Sequence, residues 1–211
     1  LESVAEFPVN RALIAEIDCP VVQMMDTSLE PLDMGVGIRH RSAAAAAVEH
    51  LMSKGYERIA MLGGGKDIRS RRRFEGYRDV LSKAGIYDPA LIFDAEEGNP
   101  LEQGILMVQR MHQRRPDIDA VFCHDDELAL GVYFGAQQLD LRVPEEFGIC
   151  GYNGLAFADM ADPPLTSIYV PLYEIGYKAA DMIMRFMSEG VKPEAAVELP
   201  FGLIEGRSTR R

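Results

Sequence analysis

Four positions in this chain place a polar side chain where a strand or turn pattern gives way to something else: Asp26, Arg73, Asp125 and Asn153. Arg73 follows the glycine-rich turn Gly63-Gly64-Gly65 and opens a helical pattern. A guanidinium there can fork two hydrogen bonds onto a carboxylate or onto vicinal hydroxyls. Asn153 follows the apolar run Gly148 to Tyr152, and its amide can donate as well as accept, so it tolerates a negatively charged molecule that a carboxylate would repel. Asp26 ends the run Val21 to Met25 and can accept from a hydroxyl. Asp125 follows the run Ala120 to Cys123. Open α/β sheets bind ligands beyond the carboxyl ends of their strands, so this placement points to a small polar ligand.

Each residue also has a plainer use. Arg69, Arg71, Arg72 and Arg73 could form one solvated helix face, with Arg71 intermediate between the two roles. Asp125 or Asp126 could cap the helix that follows, because a carboxylate there accepts from free N–H groups and complements the helix dipole. We assign the cleft to Asp125 and the cap to Asp126. Asn153-Gly154 is a strong turn dipeptide, and Asp26 could be a loop carboxylate.

Enzyme chemistry finds little support. Gly63-Gly64-Gly65-Lys66 follows a strand as a phosphate loop would, but Asp67 replaces the Ser or Thr and the four-residue spacer is missing. No G-x-S-x-G elbow and no G-x-G-x-x-G turn occurs. Asp125-Asp126-Glu127 are consecutive at a helix start, so they point in different directions rather than pairing for acid–base work. His40, His50, His112 and His124 have no ligand spacing with one another or with Cys19, Cys123 and Cys150. The expectation is no enzyme, no cofactor and no metal.

The 211 residues are 47% hydrophobic and 26% charged, enough for one large domain or two small lobes. A net charge of -11 argues against these residues gripping nucleic acid, which requires Lys and Arg to displace counterions. No apolar run reaches the ~18 residues of a membrane helix, and Leu1-Glu2-Ser3-Val4 has no signal-peptide character. The three scattered cysteines read as buried free thiols in a reducing compartment.

Strand and helix patterns alternate. Val21 to Met25, Arg58 to Leu62, Ala120 to Cys123, Gly148 to Tyr152 and Ser167 to Val170 read as buried parallel strands. Helices are expected at Ser42 to Lys54, Arg71 to Ala84, Asn99 to Arg114, Asp126 to Leu139 and Leu172 to Glu189, with Gly55, Gly85 and Gly190 as stops. This is the grammar of a doubly wound α/β sheet.

From about Pro20 onward the chain resembles the effector-binding core of the lactose/galactose repressor family of bacterial transcription regulators. The resemblance rests on His50-Leu51-Met52-Ser53-Lys54-Gly55-Tyr56-Glu57-Arg58-Ile59-Ala60, Arg73-Phe74-Glu75-Gly76-Tyr77, the Asp125 segment, Arg142-Val143-Pro144-Glu145, Gly151-Tyr152-Asn153, Pro164-Leu165-Thr166-Ser167-Ile168 and Arg207-Ser208-Thr209. Asp33-Met34-Gly35-Val36-Gly37-Ile38 and Gly151 to Leu155 look most like gluconate-utilisation repressors. The resemblance implies a two-lobed, type I periplasmic-binding-protein-like fold of doubly wound parallel sheets. It assigns 1–38 and 169–192 to an incomplete N-terminal lobe and 39–168 with 193–211 to the C-terminal lobe, the DNA-binding headpiece being absent. It implies that Arg73, Asp125 and Asn153 bind a sugar or sugar acid between the lobes, and the reading of the residues themselves adds Arg71 and Asp26. Where relatives often stack an aromatic ring on the ligand, this chain offers Asn99 and Leu172, which favours an open-chain anionic polyol. Operator DNA reached through a headpiece, a homodimer and a cytoplasmic location away from membranes are implied too. The rival of shared fold is a solute-binding protein for carbohydrate uptake.

Overall fold

A computed structural model describes residues 12–14, 16, 19–27, 30–63, 67–96, 98–190 and 195–210. Gly64, Gly65 and Lys66 of the glycine-rich turn, and the first four residues, lie outside that set. Among the described residues, two sheets are formed. In the smaller, β1 (Val22–Asp26), β2 (Met34–Ile38) and β8 (Ala196–Glu198) run parallel with β2 in the middle. The larger has six strands in the order β4 (Ile92–Phe93), β3 (Ile59–Leu62), β5 (Ala120–Cys123), β6 (Gly148–Asn153), β7 (Thr166–Tyr169), β9 (Gly202–Ile204). Only β9, which runs antiparallel to β7, breaks its parallel order.

Helices cover both faces of the larger sheet. α1 (His40–Ser53) and α2 (Ile68–Lys83) lie on one, α3 (Pro100–Arg114) and α4 (Asp126–Gln138) on the other. Successive side chains of a strand point to opposite faces. In β5, Ala120 and Phe122 therefore join the α1/α2 core, while Val121 and Cys123 join the α3/α4 core. Strands buried on both faces need continuous apolar runs, which is why these segments carry them. α5 (Leu172–Glu189) turns Ile175, Ala179 and Met182 inward and packs on β1 and β2. Its end is fixed by Gly190 at φ 67°, the left-handed cap that glycine adopts without strain.

Several expected boundaries shift. α2 begins at Ile68 rather than Arg71, because the Asp67 carboxylate accepts from the Ser70 amide at 2.7 Å and caps an earlier turn. α1 begins two residues before Ser42, at His40. The assignment of all of 193–211 to the larger lobe is corrected: β8 completes the free edge of β2, and the chain crosses to the larger sheet only at β9. Flanking bonds from the Gly35 amide to Ala195 O and from the Leu199 amide to Gly37 O hold it there. Cys19, expected among buried thiols, is exposed. Cys123 and Cys150 are buried and unpaired, and burial pushes both thiols up, which keeps them protonated and unreactive.

Candidate functional site

Strands β3, β5 and β6 end side by side at Leu62, Cys123 and Asn153, and α2 lays Arg73 across that end. Arg73 is 8% exposed. Its Nη1 donates to the His124 carbonyl at 2.9 Å, and its guanidinium carbon lies 4.1 Å from the centre of the Tyr152 ring. A cation over an aromatic face is held electrostatically, more strongly when water is excluded. Burial pulls the Arg73 pKa down from its usual value, and Tyr152 opposes that pull. Its Nε is buried and has no hydrogen-bond partner among the described residues.

Tyr152 is fully buried, with its hydroxyl 2.7 Å from His40 Nδ1, and burial pushes it up to about 12. His40 Nε2 lies 3.1 Å from the carbonyl of Met25 in β1. A carbonyl can only accept, so Nε2 carries the proton and bare Nδ1 accepts from the Tyr152 O–H. The ring stays neutral: burial, then the charges of Arg73 and Arg69, lower its pKa to about 3. His124 is likewise brought to about 3, by burial first and then by Arg73. Its Nδ1 faces Ser70 Oγ at 3.4 Å, and its Nε2 is buried with no hydrogen-bond partner among the described residues.

The expected division between the two aspartates is reversed as to the cap. Asp125 caps α4, accepting from the Leu128 amide at 2.8 Å. Asp126 is fully buried and accepts from Ser167 Oγ at 2.5 Å and from the Leu155 amide at 2.7 Å. Burial raises its carboxyl to about 6, against those hydrogen bonds. Ser167 Oγ in turn accepts from the Gly154 amide at 3.1 Å. Both N–H groups after Asn153 are thereby satisfied, and Asn153 itself is held at φ 107°, where few side-chain-bearing residues sit.

Three of the expected residues lie one step past this buried network: Asp125 after His124, Asn153 after Tyr152, and Asp26 after Met25. Arg71 is apart from them, lining with Ser70, Met61, Phe74, Ile92 and His124 a cavity of about 240 Å³ between α2 and the β3/β4 edge. Arg69 and Arg72 engage carboxylates instead, Arg69 that of Asp67 and Arg72 that of Glu75, each at 2.9 Å. Sequence reasoning passed over His40, Ser70, His124 and Tyr152. In the sequence His40 and His124 show no metal-ligand spacing, and Tyr152 stands as an apolar strand residue and as part of the Gly151-Tyr152-Asn153 motif, without a site role. Among the described residues, no group of three His, Cys, Asp or Glu side chains is arranged to hold a metal ion.

Comparison with known proteins gives this geometry a family. The sequence model of the periplasmic binding protein-like domain matches residues 48–209. The transcriptional regulator GntR of Pseudomonas aeruginosa is 35% identical over 205 residues, covering 94% of this chain and 58% of the relative. The chain therefore spans under two thirds of that relative's length. The crystal structure of GntR from Chromobacterium violaceum superposes with a TM-score of 0.89 at 35% identity, covering 97% of this chain and 75% of the other. A complex of the transcriptional regulator CelR with cellobiose superposes with a TM-score of 0.79 at 26% identity, covering 89% of this chain and 58% of that one. The chain belongs to the periplasmic binding protein-like domain family, in the branch that forms the core of LacI-family transcription regulators.

Proposed function

We propose that this chain is the effector-sensing core of a bacterial DNA-binding repressor, and that it takes a small sugar acid, gluconate-like, between its two sheets. The observation that carries the reading is Arg73, a buried guanidinium fixed over Tyr152 whose Nε has no hydrogen-bond partner among the described residues. With Nη1 engaged by the His124 carbonyl, the remaining N–H groups of Arg73 suit a carboxylate or a pair of vicinal hydroxyls. Asp125 and Asp26 would accept from hydroxyls, Asn153 would contact the acid without repelling it, and Arg71 is a peripheral contributor. The CelR complex with cellobiose supports a carbohydrate as the class of ligand.

Binding acts by linkage. An effector that prefers one arrangement of the lobes changes operator affinity, and operator DNA changes effector affinity by the same factor. One lobe is built on β1, β2, β8 and α5, the other on the six-stranded sheet. Operator contact falls to a headpiece outside these residues, a reading that the net charge of -11 supports, and the working form is a cytoplasmic homodimer.

The test is a thermal melt with gluconate, phosphogluconate, ribose, galactose and a purine in turn. A ligand at about 100 times its Kd stabilises by about 2.7 kcal/mol. A shift with the sugar acids that disappears in Arg73→Ala is the expected result. A cooperative melt that no sugar acid moves removes the gluconate assignment.

A further inference from the structure

We propose that His40 and Tyr152 are positioning residues that form a strut between the two sheets, tying the grip of Arg73 to the end of β1. The inference rests on the reading of Arg73 as the effector's anchor and adds how its engagement reaches the other lobe. Three contacts make the path. The Arg73 guanidinium lies 4.1 Å from the Tyr152 ring centre, the Tyr152 hydroxyl donates to His40 Nδ1 at 2.7 Å, and His40 Nε2 donates to the Met25 carbonyl at 3.1 Å. The imidazole also stacks on the phenol, with ring centres 5.8 Å apart and an interplanar angle of 29°.

The placement suits a coupling role. His40 heads α1 immediately after Arg39, at the point where the chain leaves β2 of the small sheet for the helix that covers the large one. Met25 is in the left-handed region at φ 86°, and the next residue, Asp26, closes β1 at the proposed cleft. A movement of Arg73 therefore alters a buried, directional pair of hydrogen bonds whose far end is the backbone of the opposite wall. Neither bond has slack. His40 and Tyr152 are fully buried, and with Nε2 committed to a carbonyl the imidazole has a single tautomer to offer.

Two measurements decide it. The first uses no ligand and follows the Asp26 and Thr27 amides by NMR. Arg73→Lys shifts both in the otherwise native protein and leaves them in place when Tyr152→Phe is also present, because the phenylalanine keeps the ring and deletes the link to His40. The second is a double-mutant cycle on gluconate affinity. Tyr152→Phe and His40→Gln each weaken binding by about tenfold, the size of one lost hydrogen bond, and the pair together by about tenfold rather than a hundredfold. Losses that multiply, or Asp26 and Thr27 amides indifferent to Arg73, overturn the strut. Variants that only lower the melting temperature, with that amide response intact, overturn it as well. A native protein that binds no sugar acid defeats the functional reading instead, and the ligand-free amides still decide the strut.

Discussion

Arg73 is oriented before any ligand arrives, since its ring contact and its bond to His124 fix the side chain in the folded protein. In its proposed role as anchor, Arg73 therefore costs little to order on binding. Asn153 is prepared in a different way. Its strained backbone depends on Ser167, which donates to Asp126 and accepts from Gly154, and on Asp126, which also accepts from Leu155. Ser167→Ala strips one hydrogen bond from the buried Asp126 carboxylate and leaves the Gly154 amide without its side-chain acceptor, at a cost of about 1–3 kcal/mol in stability. Losing that hydrogen bond also lifts the Asp126 pKa further, because it is one of the contacts holding the carboxyl down. Chemical denaturation and a gluconate titration on the same variant provide the check. The expected outcome is a lower midpoint and weaker binding, whereas native values for both would mean that the turn after β6 holds its shape unaided.

Among the elements, those whose sequences announce them are long or capped by specific residues. α5 has the expected limits, with its inward stripe and Gly190 both legible. The start of α2 is hidden in the sequence because Ile68 to Arg73 carries four arginines and looks like surface, while the Asp67 cap acts at short range inside a glycine-rich region. β2 is not legible as a strand in the sequence, because Gly35 and Gly37 lower its strand propensity, although all five of its residues are buried. β4, β8 and β9, of two or three residues each, are too short to show a period. The site divides in the same way. Residues at strand ends can be chosen by chemistry and position, but the His40–Tyr152 contact joins positions 112 apart, and no local pattern encodes it. Close packing of α3 on α4 is also invisible locally, since it depends on Gly104 and Gly131 facing each other: a Cβ on Gly131 would collide with the Leu101 carbonyl and the Gly104 backbone. Gly131→Ala should destabilise by about 1–3 kcal/mol through overpacking. Gly176→Ala, on the exposed side of α5 with open space around it, should stabilise by about 0.5–1 kcal/mol. Urea midpoints that move the same way for both variants would contradict this packing.

At the scale of the whole molecule, the site leaves a signature in the dependence of stability on pH. His40 and His124 titrate near 6.5 when unfolded and near 3 when folded, so below about pH 6.5 the unfolded chain takes up two protons that the folded one refuses. Their contribution is complete above pH 6.5 and is lost as pH falls toward 3. Asp126 acts in the opposite sense. Its folded value of about 6 lies above its ordinary 3.8, so the folded state gains a proton first and is favoured as pH falls through that window. Two histidines outweigh one aspartate. With about 1.4 kcal/mol per pH unit for each fully engaged proton, the balance at pH 5 is a net loss of about 2–3 kcal/mol relative to pH 7.5. Melting temperatures recorded from pH 7.5 to 5 should therefore fall, less steeply in His40→Gln and His124→Gln, and more steeply in Asp126→Asn, which removes the opposing proton. An acid slope that neither histidine variant changes would mean that both rings can be protonated within the fold. A cation could not then be excluded from beside Arg73, and the neutral tautomer on which the His40 contacts depend would be lost.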